Sequence, residues 1–147
     1  MEFSRLEYLI GDQVNLLKEK TVLVLGLGGV GGYTVEALVR SGIGHLILVD
    51  YDTVDITNIN RQVIATYHTV GRLKTEAWKE RILSIVPTCQ VTTISEKITE
   101  ENINCLFKEK IDFVVDACDT ISVKCLLIKR CLEQKIPLIS SMGTANK

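Results

Sequence analysis

Several features that would place this chain in a common class of protein are missing from its sequence. None of its five cysteines is spaced as C-x-x-C, which argues against a zinc site. No segment reaches about 18 uninterrupted apolar residues, and the N-terminus lacks the apolar core of a signal peptide. No repeat, linker or low-complexity segment is present either. From these absences we expect a cytoplasmic protein that does not enter a membrane.

The chain also lacks an excess of charge of either sign. Its 17 Lys and Arg residues nearly balance 18 Asp and Glu residues, which gives a net charge of −1 and a pI of about 6.1. This balance gives no electrostatic reason to expect a protein that coats nucleic acid. Four cations near the C-terminal end of the sequence are interpreted as the solvated face of a helix, and a local basic patch is the alternative. They are Lys124, Lys129, Arg130 and Lys135.

The cysteines are odd in number and scattered, which is typical of reduced thiols in a cytosolic protein. Cys118 and Cys125 lie among apolar residues. We interpret both as small core residues, and a nucleophilic role is the alternative. The sequence therefore offers no cysteine whose placement predicts a covalent intermediate.

Apolar patterning predicts strands and helices in alternation. Continuous or alternating apolar runs predict strands at residues 21–26, 45–50, 89–94, 111–116 and 137–141. Helices are predicted at residues 3–18, 29–41, 70–86, 99–108 and 120–134. Gly11 and Asp12 are a candidate break in the first helix, and Thr99 is the expected N-cap of the fourth. This alternation predicts an α/β fold with a doubly wound, mainly parallel sheet over residues 21–147, after a helical segment at residues 1–20.

A glycine-rich loop at residues 26–32 follows the first predicted strand and opens the next helix. The pattern G-x-G-x-x-G in that position favours a nucleotide, because backbone N–H groups and a helix N-terminus can approach its phosphates. Asp50 closes the second predicted strand, where an acid typically binds ribose hydroxyls. These two features predict a nucleotide site but do not separate NAD from ATP.

Two cations follow the second strand. Arg61 lies in a polar connection at residues 51–69, and a loop of this length is usually functional. Its planar guanidinium suits phosphate oxygens, although an ordinary surface role is the alternative. Lys74 lies near the start of a predicted helix, on the face that also carries Trp78. A lysine on a core-facing stripe at the positive end of a helix favours an anion opposite it, unless its head group reaches water.

Asp116 and Asp119 close the fourth predicted strand. In a doubly wound sheet this edge faces the same crevice as the glycine loop. Two carboxylates beside a triphosphate suit Mg²⁺, whereas the alternative for Asp119 is an N-cap of the following helix. Cations and carboxylates around one phosphate loop favour nucleophilic attack on a phosphate of ATP.

Four motifs then carry a resemblance to a known family. They are G-x-G-G-V-G, D-x-D-x-V-x-x-T-N-x-N-R-Q, V-G-x-x-K and V-D-A-x-D. Together they resemble the ThiF/MoeB/HesA superfamily, ATP-dependent adenylating enzymes related to ubiquitin-activating enzymes, over residues 5–143. Within it, residues 136–143 are most similar to the branch of tRNA threonylcarbamoyladenosine dehydratases. The resemblance implies a Rossmann-like ATP-binding fold.

The resemblance also implies the roles of individual residues. Asp119 coordinates Mg²⁺ and acts in catalysis with Arg61 and Lys74. In related dimers an arginine near the N-terminus reaches into the partner's ATP site, and Arg5 is the candidate here, which implies a homodimer. The residues implied for the nucleotide are Gly26, Gly28, Gly29, Gly31, Asp50, Asp52, Asn58, Arg61 and Lys74.

The implied reaction is adenylation of a carboxylate, and the branch resemblance implies the carboxylate of a threonylcarbamoyl group on tRNA. That group then closes into a ring, and AMP is lost. The alternative is activation of the C-terminus of a ubiquitin-like or sulfur-carrier protein. An NAD(P)-dependent oxidoreductase and a non-catalytic dimerising scaffold are further alternatives. A second glycine loop at residues 143–147 follows the fifth predicted strand and ends the chain, so we expect a fragment that lacks the C-terminal part of the domain.

Overall fold

Five parallel strands form one sheet that is covered on both faces. The structure, a computed structural model, describes residues 1–142. The strands are β1 Thr21–Leu25, β2 His45–Val49, β3 Gln90–Ile94, β4 Phe113–Asp116 and β5 Leu138–Ser140. The α-helices are α1 Ser4–Ile10, α2 Gln13–Leu17, α3 Gly29–Arg40, α4 Lys74–Ile85 and α5 Ile121–Gln134. The strand order is β3-β2-β1-β4-β5 with every pairing parallel, so the predicted parallel sheet is confirmed.

The central strands are apolar throughout because both of their faces are buried. Side chains alternate across β1, so that Val22 and Val24 enter one core together with Trp78 of α4. Leu23 enters the opposite core together with Leu127 of α5. The two cores account for the continuous apolar runs that predicted these strands.

The order of the strands places a crevice next to β1. From β1 the chain passes through α3 to β2, and only later does it cross to β4 on the other side of β1. The loops that follow β1 and β4 therefore lead away from each other at the carboxyl edge of the sheet. Ligands of doubly wound sheets bind in such a crevice.

The N-terminal segment forms two short helices rather than one. Gly11 ends α1 with a φ of 62°, a conformation that favours glycine. Phe3 and Leu17 pack against the sheet core, and the backbone N–H of Gly44 donates to the carbonyl of Leu17 at 3.1 Å. Of the helices within residues 1–142, none combines the length and apolarity that a bilayer span requires.

Two predicted helices differ from the observed ones. The helix predicted at 70–86 begins only at Lys74, because Gly71 has a φ of 89° and residues 71–73 pair with the polar loop. The segment predicted as a helix at 99–108 forms only a 3₁₀ turn, Ile103–Phe107. Thr99 is not its N-cap, because the turn begins after Asn102, whose side chain accepts a hydrogen bond from the Thr99 backbone N–H at 2.7 Å. The glycine loop predicted at 143–147 lies outside the described residues.

Candidate functional site

A cleft of about 580 Å³ opens at the carboxyl edge of the sheet, between the loops that follow β1, β2 and β4. Most of the residues that the sequence assigned to a nucleotide or its metal ion line it. These are Gly26, Gly28, Gly29, Asp50, Asp52, Asn58, Arg61, Lys74 and Asp119. Gly31 and Arg5 do not line the cleft, and Arg5 lies exposed on α1. The sheet thus brings three separate segments of polar residues to one place.

Two glycines of the first loop are required by packing within the protein. Gly26 has a φ of 93°, and a Cβ there would lie 2.7 Å from the carbonyl carbon of Ala117. A Cβ on Gly31 would lie 1.7 Å from the carbonyl oxygen of Gly26. These contacts let the loop turn sharply from β1 into α3, with the start of the helix directed at the cleft.

Gly28 and Gly29 differ, because neither is needed for contacts inside the protein. The nearest atom to a Cβ on Gly28 would be Nε2 of Gln62 at 3.6 Å. The nearest to a Cβ on Gly29 would be the carbonyl oxygen of Arg61 at 3.8 Å. Both glycines line the cleft, so the space that a side chain would fill is open to a ligand.

Asp50 ties the glycine loop to the end of β2. Its Oδ2 accepts a hydrogen bond from the backbone N–H of Leu27 at 2.8 Å, and its Oδ1 accepts one from the backbone N–H of Asp52 at 2.8 Å. Each carboxylate oxygen retains a further lone pair for a hydroxyl donor. The geometry therefore allows Asp50 to shape the loop and to bind a ligand from the same carboxylate.

Lys74 is the first residue of α4, and the residue is 6% exposed. Its backbone N–H donates to the carbonyl of Asp52 at 3.0 Å. Among the hydrogen bonds and ion pairs of residues 1–142, none involves the Lys74 ammonium. The pKa of the Asp55 carboxyl is lowered, chiefly by hydrogen bonds from Thr57 and least by the charge of Lys74. A cation thus lies at the positive end of a helix dipole and faces the cleft.

The polar loop after β2 contributes three more side chains. Asn58 is buried, and its Oδ1 accepts a hydrogen bond from the backbone N–H of Asp55 at 2.9 Å, which closes a capping box. Arg61 is exposed, and its Nη1 donates to the Thr57 carbonyl at 3.0 Å. Within residues 1–142, Oε1 of Gln62 is buried without a hydrogen-bond partner. Sequence reasoning did not assign Gln62, although it directly follows Arg61 in the motif.

The acids at the end of β4 separate into two environments. Asp119 is exposed and lines the cleft, and no side-chain cap is formed on α5, so the interpretation of Asp119 as an N-cap is wrong. The pKa of the Tyr51 phenol is raised, first by the charge of Asp52, then by desolvation and the charges of Asp119 and Asp50. These carboxylates therefore give one wall of the cleft a negative potential.

Asp116 does not face the cleft. It is fully buried, and Lys124 and Ser140 donate to its Oδ2 at 3.3 and 2.7 Å. The expectation that it joins Asp119 at a metal is therefore wrong, because its carboxylate is already paired. The interpretation of Lys124 as part of a solvated helix face is also wrong, since this lysine is 5% exposed. Within residues 1–142 no group of three or more His, Cys, Asp and Glu side chains is placed to hold a metal alone.

The cysteines give a direct prediction about reactivity. Burial, together with a hydrogen bond to Asp116 and its charge, raises the pKa of the Cys118 thiol to about 12, although this residue lines the cleft. Burial raises the pKa of Cys131 to about 11. Cys125 is exposed, so its interpretation as a core residue is wrong.

We expect iodoacetamide at pH 8 to alkylate Cys125 well before Cys118. Only the thiolate reacts, and a pKa near 12 leaves a thiolate fraction of ~10⁻⁴ at this pH. Peptide mass spectrometry over a time course measures both rates, and the unfolded chain in denaturant is the control. Equal rates for the two cysteines in the folded chain would contradict the prediction and restore Cys118 as a candidate nucleophile.

Known proteins share both the sequence and this fold. The chain is 51% identical to the tRNA threonylcarbamoyladenosine dehydratase of Bacillus subtilis (strain 168), covering 99% of this chain and 58% of that protein. It is 33% identical to the molybdopterin-synthase adenylyltransferase of Escherichia coli (strain K12), covering 88% and 51% respectively. The structure of the E. coli tRNA N6-threonylcarbamoyladenosine dehydratase in complex with ATP matches with a TM-score of 0.96 at 37% identity. That match covers 99% of this chain and 60% of the other.

The chain spans less than two thirds of the length of each of these relatives. Across the part that it does span, the likeness in sequence and the likeness in structure agree. A sequence model of the ThiF family matches residues 5–147. The resemblance that the four motifs carried is therefore confirmed, and the chain belongs to the ThiF family.

Proposed function

We propose that this chain binds ATP and supports the adenylation of a carboxylate. The observation that carries the proposal is Lys74, a buried cation at the start of α4 that faces the cleft and makes no side-chain hydrogen bond or ion pair within residues 1–142. A charge in this position calls for an anion, and the cleft beside it is lined by a glycine loop open to phosphates. The E. coli relative that matches this fold was solved with ATP.

The phosphates of ATP fit the groups that surround Lys74. Gly28 and Gly29 leave space for them next to the N-terminus of α3. Arg61 offers the remaining N–H donors of its guanidinium, and Asn58 offers its side-chain amide. We assign Asp50 to the ribose hydroxyls, with Asp52 beside it, because their carboxylates lie at the end of β2.

We further propose that Mg²⁺ binds with the nucleotide and that Asp119 is its protein ligand. The exposed carboxylate of Asp119 is free of ion pairs within residues 1–142 and lies in the cleft. A single carboxylate is adequate for this ion, since Mg²⁺ usually keeps several waters and takes other ligands from substrate phosphates. When bound, the ion would help to neutralise the negative charge of the triphosphate, held there by Asp119.

In the proposed reaction, a carboxylate oxygen attacks the α-phosphorus of ATP. The bond from that phosphorus to the bridging oxygen breaks, and pyrophosphate leaves with the electron pair. Lys74 and Arg61 offset the negative charge that develops on the phosphates. The acyl-adenylate that remains is then attacked by a second nucleophile, which releases AMP. The raised pKa of Cys118 disfavours a cysteine in that second role.

We propose that the carboxylate belongs to threonylcarbamoyladenosine in tRNA, so that the second step closes a ring and completes a dehydration. Support comes from the 51% identity to a B. subtilis protein of that name. The second candidate substrate is the C-terminal carboxylate of a ubiquitin-like or sulfur-carrier protein. The 33% identity to a molybdopterin-synthase adenylyltransferase favours this alternative.

We also propose that residues 21–147 belong to the adenylation domain and that residues 1–20 form an N-terminal helical segment. We further propose that the protein acts as a homodimer. Arg5 is exposed on α1 and does not reach its own cleft, which fits a role in the partner's site. The five cysteines are all free thiols, and this supports the cytoplasm as the compartment.

The substrate is tested by the release of AMP from labelled ATP and Mg²⁺. We expect release with tRNA that carries threonylcarbamoyladenosine and none with tRNA that lacks the modification. A carrier peptide that ends in glycine serves as the second arm. The adenylate of a peptide keeps its AMP until a second nucleophile attacks, so this arm is measured by the release of pyrophosphate. Pyrophosphate release with the peptide but not with the modified tRNA would overturn the tRNA assignment in favour of the second candidate.

A further inference from the structure

We propose that the buried pair Asp116–Lys124 is a positioning device for the cleft, which holds the Asp119 loop and the end of β5 in the geometry that binds Mg²⁺ and ATP. This inference rests on the adenylation proposal. Neither residue lines the cleft, so neither is a catalytic residue. Both act through the segments to which they are bonded.

The pair joins three segments of the chain. Asp116 ends β4, Lys124 lies in the first turn of α5, and Ser140 ends β5. The Lys124 ammonium donates to Oδ2 of Asp116 at 3.3 Å and to the carbonyl of Ser141 at 2.6 Å. Ser140 Oγ donates to the same Oδ2 at 2.7 Å. One carboxylate and one ammonium therefore fix how β4, α5 and β5 meet.

The other side of Asp116 shapes the loop that carries Asp119. Its Oδ1 accepts from the backbone N–H of Cys118 at 3.2 Å, an Asx turn that bends the chain directly after β4. The backbone carbonyl of Asp116 accepts from the N–H of Ser141 at 2.8 Å. Residues 117–120, Ser141 and Met142 all line the cleft. Each of these lining segments therefore contains a residue that is hydrogen-bonded to the pair, or directly follows one.

A pair of this kind is a poor choice for stability alone. Lys124 is buried and lies near the positive end of α5, where a cation is disfavoured. Buried ion pairs are often no more stabilising than apolar side chains of the same volume. What apolar side chains cannot supply is a set of directed hydrogen bonds to a turn and to a strand end. The geometry therefore points to positioning as the reason for the pair.

Lys74 and Lys124 occupy similar positions but differ in their partners. Each lies in the first turn of a helix, and each is buried. Lys124 has Asp116 and Ser141 as acceptors, whereas Lys74 faces the open cleft. We therefore expect the loss of Lys124 to make the loops more mobile. The loss of Lys74 should instead weaken the binding of the anion directly.

The test uses the whole chain in three variants. Lys124→Met breaks the pair and leaves Asp116 unpaired. Asp116→Asn with Lys124→Met removes both charges while nearly keeping both side-chain shapes. Lys129→Met, an exposed lysine on the same helix, is the matched control. Thermal unfolding, amide hydrogen exchange at residues 117–120 and at Ser141, and the Kd of ATP with and without Mg²⁺ are measured for each.

We expect Lys124→Met to lower the unfolding temperature and to speed exchange at these amides. In the double variant the unfolding temperature recovers, but exchange stays fast and the Mg²⁺-dependent gain in ATP affinity falls about tenfold. Lys129→Met changes none of these. If the double variant regains slow exchange and full ATP affinity, the pair is merely structural and the inference is overturned.

Exchange is measured without nucleotide, so it tests positioning even if the proposed function fails. A parent chain that does not bind ATP but shows slow exchange lost in both Lys124 variants contradicts the adenylation site and supports positioning. A parent chain that binds ATP while exchange is unchanged in both variants contradicts positioning and supports the ATP site.

Discussion

Lys74→Met is expected to lower the affinity of the chain for ATP with Mg²⁺ by about 10- to 150-fold, which corresponds to ~1.5–3 kcal/mol for a lost charge-assisted hydrogen bond. The free energy of unfolding should rise or stay unchanged. The variant removes a buried cation from the positive end of α4, where it makes no ion pair within residues 1–142. Weaker binding in an equally or more stable protein is the signature of a residue held for its ligand.

Isothermal titration calorimetry and thermal unfolding measure the two effects. Lys79→Met is the matched control, since Lys79 lies on the same helix but does not line the cleft. It should bind ATP as the parent chain does. If Lys74→Met binds ATP as tightly as the control, then the Lys74 ammonium reaches water instead of phosphate, and the assignment is lost.

The second large effect separates two glycines of the same loop. Gly31→Ala should destabilise the fold by about 3 kcal/mol or more, because its methyl group would meet the backbone carbonyl of Gly26 at 1.7 Å. Gly28→Ala should leave the fold intact, since the nearest atom lies 3.6 Å away. Its methyl group should instead occupy the phosphate space and weaken ATP binding more than about tenfold, or ~1.4 kcal/mol.

Chemical denaturation gives the stability of each variant, and calorimetry with ATP gives the affinity of those that fold. A stable Gly31→Ala protein would show that α3 can move away from β1, against the close packing of the loop. A Gly28→Ala protein with parental affinity would mean that the phosphates do not pass next to Gly28. The first result would contradict the packing role assigned to Gly31, and the second would contradict the phosphate-binding role assigned to Gly28.

The sheet and the location of the cleft follow from the sequence because each depends on short stretches of residues. Strands buried on both faces need continuous apolar runs, and β1 and β2 show them. The turn from β1 into α3 needs glycine at Gly26 and Gly31, and both are marked in the pattern. Lys74 stood out since a lysine near the start of a helix on a core-facing stripe is costly without an anion.

What the sequence did not reveal depends on contacts between distant residues. Lys124 looked like part of a surface cluster, because its partner Asp116 and its acceptor Ser141 come from other segments that only the sheet brings together. The start of α4 was placed too early, since the pairing of residues 71–73 with the polar loop overrides their helical pattern. Gln62 was passed over because an orphaned acceptor is visible only in three dimensions.

The choice of nucleotide tests the central claim most directly. The glycine loop alone is compatible with NAD or ATP, whereas the proposed roles of Lys74, Arg61 and Asp119 require a triphosphate and its metal ion. Calorimetric titration of the parent chain with ATP and Mg²⁺, and separately with NAD, compares the two affinities under one set of conditions. We predict that ATP binds more tightly. Tighter binding of NAD would contradict the adenylation site.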